Sequence, residues 1–238
     1  MGDRTLSAVR STERSSPLLL ALGALFVTVL LTSNLIAVKL IAFGPMILPA
    51  AVIVFPLSYL FGDVLTEVYG YAVTRRVIWL GFGCNLVFVL FILAAGALPG
   101  APGAWDPTAQ SAFERILGFT PRLLVASFIA YLAGEFLNSF VMARLKIATQ
   151  GRWLWTRTIS STLIGQGVDS AIFIIAAFAG VLPMQLLLRT VLYQWAFKTA
   201  YEIVATPLTY AVVRVLKQRE HQDPFDIGTD FNPFRLAG

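Results

Sequence analysis

Charge is what this chain has least of. Asp, Glu, Lys and Arg make up 13% of its 238 residues, against about 25% in soluble domains. Apolar residues fill 57% of the chain, and the mean hydropathy is +0.75. A water-soluble core of this length cannot hide so much apolar surface, whereas a bilayer can. Cysteine is reduced to Cys84, which excludes an intrachain disulfide framework. Histidine is reduced to His221, so no His/Cys metal cluster can be assembled. No G-x-x-x-x-G-K-S/T loop occurs, so the chain does not itself burn ATP. No G-x-S-x-G elbow occurs either. With no catalytic signature, no metal site and no cofactor motif, the reading is not an enzyme.

What is present is a series of long apolar runs with charges clustered between them. The first, 17–43, is too long for a signal-peptide core of about 7–15 residues and has no small-residue cleavage site after it. It is read as a retained span. At about 20 residues per crossing, spans are expected at 18–41, 46–62, 77–98, 122–143, 158–181 and 186–213, the second kinked by Pro49 and Pro56. Six spans place 13 of the 18 basic residues on one side and only Arg115, Arg122 and Arg189 on the other. Lys39 and Lys198 fall within spans. The positive-inside rule then sets both termini in the cytoplasm, and the +5 net charge reflects topology rather than nucleic-acid binding. The expected fold is an all-α membrane protein of six transmembrane helices, with room for two inverted three-helix halves. It divides into a cytoplasmic N-terminal segment (1–16), a membrane domain (17–216) and a cytoplasmic tail (217–238) without a stable fold. An interfacial helix is expected at 109–117, with Trp105 at headgroup depth.

Polar residues at bilayer depth cost at least about 2.5–3.5 kcal/mol each when charged, so they are the functional pointers. Glu135 and Asn138 share a face of span four. Gln166, Asp169 and Ser170 share a face of span five, beside Gly165 and Gly167, which permit close helix approach. Gln194, Lys198 and Glu202 recur every four residues in span six, with Tyr201 adjacent. Each cluster alone reads equally well as interhelical glue, with Lys198 pairing Glu202 at i,i+4. Three in consecutive spans favour a shared polar cavity. Asp63 and Glu67 are placed after span two, as solvated helix-end carboxylates, as partners of Arg75 or Arg76, or as a gate or proton site. Asn34 and Asn85 read as packing contacts, and Lys39 as a snorkelling side chain.

Four stretches and the tail carry a resemblance. They are FPLSYLFGDVLTEVYGY (55–71), GEFLNS (134–139), TISSTLIGQGVDS (158–170), FKTAYE (197–202) with TPLTY (206–210), and GTDFNPF (228–234). Together they resemble the queuosine precursor transporter family, also called the vitamin uptake transporter family, over nearly the whole chain. The resemblance implies six helices in the bacterial inner membrane and uptake of a purine-like small molecule, 7-cyano-7-deazaguanine or a related 7-deazaguanine base, into the cytoplasm. The pattern departs at Glu135, where many relatives carry glutamine, so no charge-dependent role carries over to it. A carboxylate can accept from the ring N–H and the amino group of a guanine-like edge together. Asp169 is assigned that role, with Glu202 second. Gln166 or Asn138 would read the carbonyl edge, with Lys198 donating to it or holding Glu202 ionised. Tyr201, Trp195 and Phe173 would stack on the ring, and Glu135 and Asn34 complete the expected binding set. The partners expected are the substrate and the lipid bilayer, with no nucleic acid bound directly and the oligomeric state open. Two alternatives stand beside transport: a substrate-binding subunit that borrows an ATPase, and a non-transporting membrane enzyme or scaffold.

Overall fold

A computed structural model of the chain describes residues 16–37, 39–43, 46–100, 108–118, 121–180 and 183–235. The expected N-terminal segment and Trp105 fall almost wholly outside these residues. The described part contains seven α-helices: α1 (Pro17–Ile36), α2 (Pro56–Tyr69), α3 (Tyr71–Ala97), α4 (Ala109–Leu117), α5 (Pro121–Ala148), α6 (Leu154–Phe178) and α7 (Met184–Glu220). Between α1 and α2 lies an antiparallel hairpin, β1 (Leu40–Phe43) and β2 (Met46–Pro49), in which Leu40 faces Pro49 and Phe43 faces Met46. A single 3-10 turn (Ala50–Ile53) leads from it into α2.

Five stretches are helical, long and apolar enough to cross a membrane: Pro17–Ile36, Ala50–Tyr69, Tyr71–Ala97, Val125–Ala148 and Leu154–Phe178. Helix α7 is longer than any of them at 37 residues, about 55 Å at 1.5 Å per residue, but its inward face is too polar for it to stand out as a span. The burial pattern is that of a protein in lipid. Val204 is 81% exposed while Glu202, two residues earlier, is 1% exposed. Leu90, Phe91, Leu188 and Leu192 likewise point outward, where a bilayer rather than water would accept them.

Local chemistry sets the helix ends. The Ser16 hydroxyl accepts from the Leu18 and Leu19 amides at 3.1 and 3.3 Å, with Pro17 at the first helical position. Pro56 opens α2 instead of kinking a span. The second span is therefore shifted toward the C-terminus: 46–49 is strand, and the helix runs on to Tyr69. Gly70, at φ +82°, ends α2 and starts α3 in one residue, a left-handed conformation that favours glycine. The Asp226 carboxylate lies against this joint and accepts from the Tyr71 amide with both oxygens at 3.1 Å, an anion at a helix N-terminus. Helices α5 and α6 form a tight hairpin. A Cβ at Gly165 would lie 2.8 Å from the Asn138 Cβ and 2.9 Å from the Gly134 carbonyl oxygen, so the two backbones approach as small residues allow. Helix α4 forms where expected and buries none of its side chains.

The tail departs from expectation. Beyond Glu220 its described residues form no helix or strand but are docked along α3 and α5. Tyr71 donates its hydroxyl to the Phe231 carbonyl at 3.0 Å. Arg75 donates to the Asp230 and Asn232 carbonyls at 2.8 and 2.7 Å, and the Trp79 indole to that of Pro233 at 2.7 Å. The Phe231 ring packs on Tyr71 and Phe140, with the Arg144 guanidinium 4.7 Å from its centroid. Buried donors of α3 find their acceptors in the tail's backbone, which fixes an otherwise irregular segment.

Candidate functional site

The polar interior has three layers. At the hairpin end of the bundle is a cavity of about 90 Å³, lined by Asn34 from α1, Phe55 before α2, Ser127 from α5, Asp169 and Phe173 from α6, and Gln194 and Lys198 from α7, among others. Lys198 Nζ sits 2.5 Å from Asp169 Oδ2, both residues 4% exposed, and 4.5 Å from the centroid of Phe55. Asn34 donates to the Asn85 Oδ1 at 2.7 Å, tying α1 to α3. The expected i,i+4 pair of Lys198 with Glu202 does not form. An acceptor on the facing helix, Asp169, takes the lysine, and α6 and α7 are joined by that charge pair.

Behind the cavity lies a layer of buried carboxylates and amides. Asp63, Glu135, Asn138, Gln166 and Glu202 are each 0–1% exposed. Asn138 donates to Asp63 Oδ1 at 2.7 Å. Glu135 Oε2 lies 2.9 Å from where a Gly62 Cβ would be, so this carboxylate packs directly on α2. Asp63 and Glu67 do not follow the second span; they are inside α2 and fully buried.

The third layer is an ion network around Glu67. Arg157 reaches its two carboxylate oxygens at 2.8 and 3.2 Å, and Lys217 reaches Oε1 at 2.5 Å. Lys146 lies 3.6 Å from the carboxylate and donates to the Glu67 carbonyl at 2.7 Å. Asp223 in the tail bridges Lys146 and Lys217 at 2.6 and 2.8 Å. Burial pushes the Asp223 carboxyl upward, but the hydrogen bonds from the two lysines outweigh it and hold it below the usual carboxylate range. The expected partners Arg75 and Arg76 are not involved: Arg75 serves the tail, and Arg76 is exposed.

Of the residues expected to bind a ligand, Asp169, Lys198 and Asn34 line the cavity, while Gln166, Asn138, Glu135 and Glu202 form the layer behind it. Trp195 is drawn away. Its indole donates to the Leu163 carbonyl at 2.9 Å and covers Gly167. Tyr201 is half-buried beside Glu202 rather than in the cavity. Sequence reasoning missed Phe55 as a cavity wall, because it sat inside an assumed span. It also missed the buried Lys146 and Arg157 and the partly buried Lys217 as partners of Glu67, because loop-end cations read as solvated. Their spacing from helix ends gave no signal of what they meet. Among the described residues no group of three His, Cys, Asp or Glu side chains has the geometry to hold a metal ion.

The family model described as "Putative vitamin uptake transporter" matches residues 49–212, which takes in the site residues named above except Asn34, Lys217 and Asp223. A protein of Bacillus subtilis (strain 168) named "Probable queuosine precursor transporter" is 33% identical over 159 residues, 66% of this chain and 68% of its own length. The "Queuosine precursor transporter" of Escherichia coli (strain K12) is 30% identical over 124 residues, 52% of each chain. No solved structure matches. A matched region spanning more than half the chain, with the buried polar layers inside it, shows that this multi-pass membrane protein belongs to the vitamin uptake transporter family.

Proposed function

We propose that the chain imports a queuosine precursor, a 7-deazaguanine base such as 7-cyano-7-deazaguanine, across the inner membrane into the cytoplasm. In this reading it has six spans, α7 being the sixth, and both termini are cytoplasmic. The observation that carries the proposal is the Asp169–Lys198 pair lining a cavity between apolar helices, in a chain whose relatives are named for queuosine precursors.

The chemistry fits a flat, nearly neutral heterocycle. Asp169 accepts from the ring N–H and amino group of the guanine-like edge, a bidentate charge-assisted contact. Lys198, released toward the ligand, donates to its carbonyl oxygen. Phe55 and Phe173 supply the stacking faces in place of Trp195 and Tyr201, and Gln194 and Asn34 offer further polar contacts. Ligand pockets measure about 300–1,000 Å³, so a cavity of about 90 Å³ is a closed form. Admitting a base requires α1 and the hairpin to part from α6 and α7, as alternating access does. At the other end the Glu67 network and Asp223 act as the inner gate.

The test is counterflow. Proteoliposomes of the purified chain loaded with unlabelled 7-cyano-7-deazaguanine should accumulate the labelled base transiently, and protein-free liposomes loaded in the same way should not. Absence of counterflow from a correctly folded preparation would remove the assignment.

A further inference from the structure

Three carboxylates in the buried middle layer have no counter-ion. Asp63 on α2, Glu135 on α5 and Glu202 on α7 are each at most 1% exposed. Asp63 Oδ2, both oxygens of Glu135 and both of Glu202 lack any hydrogen-bond partner. Lys198, whose charge acts on Glu135, is committed to Asp169 at 2.5 Å. Arg157 and Lys217 are committed to Glu67, and Lys146 to Asp223 and the Glu67 carbonyl. Around the three acids α2 supplies Tyr59 and Glu67, α5 Tyr131, α6 Asp169 and α7 Lys198 and Tyr201. That company is mostly acidic. Three ionised, unpaired carboxylates cannot share a site withdrawn from water, because like charges and lost hydration both oppose it.

Two further observations bear on what neutralises them. The Ser58 and Ser161 hydroxyls lie beside Glu135 and Asp63, but each gives its one hydrogen to a backbone carbonyl, that of Phe55 at 2.7 Å and that of Thr158 at 2.9 Å. Neither hydroxyl hydrogen is therefore spent on the acids. In addition, no three His, Cys, Asp or Glu side chains among the described residues are grouped to hold a metal ion.

We propose that Asp63, Glu135 and Glu202 form a proton-binding site, and that its loading and unloading couples substrate movement to the transmembrane proton gradient. The coupling half rests on the transport reading above; the proton-binding half does not. The step is simple in balance. A proton from the outer solution adds to a carboxylate oxygen, and the same proton leaves to the inner solution when the layer opens to it. No bond to substrate forms, and nothing is oxidised or reduced. The layer lies directly behind the Asp169–Lys198 pair, so a change in its charge alters the field in which that pair must part to receive a ligand.

Infrared spectroscopy of the full chain in nanodiscs, without substrate, tests the site. At neutral pH the wild-type protein should show the carbonyl stretch of protonated, non-aqueous carboxyl groups. Asp63→Asn, Glu135→Gln and Glu202→Gln should each remove part of that band. Each is isosteric with the protonated acid, so folding should survive, and gel filtration checks it. Absence of the band at neutral pH would overturn the proton site. In proteoliposomes, an inward proton gradient should concentrate labelled 7-cyano-7-deazaguanine, with internal acidification followed by an entrapped dye. Accumulation that follows a sodium gradient, or ignores the proton gradient, would overturn the coupling while leaving transport intact. Failure of all uptake and all counterflow would instead overturn the transport reading and the coupling with it, with the infrared band judging the proton site separately.

Discussion

Replacing Glu67 by glutamine should destabilise the protein through its partners rather than through itself. In the native network Lys146, Arg157 and Lys217 face two carboxylates, Glu67 and Asp223. Removing the Glu67 charge leaves three cations against Asp223 alone. Arg157, 1% exposed, is left with the Gly151 carbonyl at 3.3 Å. Breaking one side of a buried ion pair costs about 3–5 kcal/mol because the other charge remains in place. At roughly 2–4 °C per kcal/mol for a chain of this size, the melting temperature in detergent should fall by roughly 6–20 °C. Arg157→Gln alone should cost less, since Glu67 keeps Lys217 and Lys146 as partners. The double variant should recover much of the loss, giving a coupling energy of at least about 1 kcal/mol in a double-mutant cycle. Thermal melting of the four proteins, followed by tryptophan fluorescence or light scattering, measures this directly. Additive losses, with no recovery in the double variant, would refute the claim that these side chains act as one buried pair.

Three further outcomes follow from the fold. Asp226→Ala removes the acceptor of the Tyr71 amide at the α2–α3 joint; it should cost about 1 kcal/mol and raise proteolysis of the tail beyond Glu220. Gly165→Ala places a methyl group 2.8 Å from Asn138 Cβ and 2.9 Å from the Gly134 carbonyl, so it should destabilise by about 1–3 kcal/mol, seen as a lower melting temperature. Asp223 has a depressed carboxyl in the folded protein, so its contribution is present above its unfolded value of about 3.9 and is lost as pH falls through the lower folded value. Acidification below about pH 4 should therefore lower amide protection across 223–235, relative to the intrinsic exchange rate at each pH, an effect kept small by the half-exposure of Asp223.

Much of this arrangement was legible in the sequence, and the failures have physical causes. The apolar runs located every long helix, because a bilayer-sized stretch of hydrophobic residues has few other uses. The polar residues inside those runs, Glu135, Asn138, Gln166, Asp169, Lys198 and Glu202, proved buried together, because lipid leaves them nowhere else to point. Periodicity along one helix could not say which helix would answer a charge, so Lys198 was expected on Glu202 and is found on Asp169. Proline misled at the second span: Pro56 begins α2 and does not bend it, which moved Asp63 and Glu67 from an aqueous edge into the core. The tail was misjudged from its lack of apolar pattern. It is held by side chains of α3 bonding its backbone, an attachment that leaves no periodic trace in its own composition.

The most direct test of the central claim is made in cells that can form queuosine only from an imported precursor. The chain is expressed there, its membrane level is confirmed, and queuosine in tRNA is assayed at limiting external 7-cyano-7-deazaguanine. The account predicts that the wild-type chain restores queuosine and that Asp169→Asn, present at the same level, does not. Restoration by Asp169→Asn equal to that of the wild type would contradict the assigned site, and no restoration by the wild-type chain would contradict the assigned function.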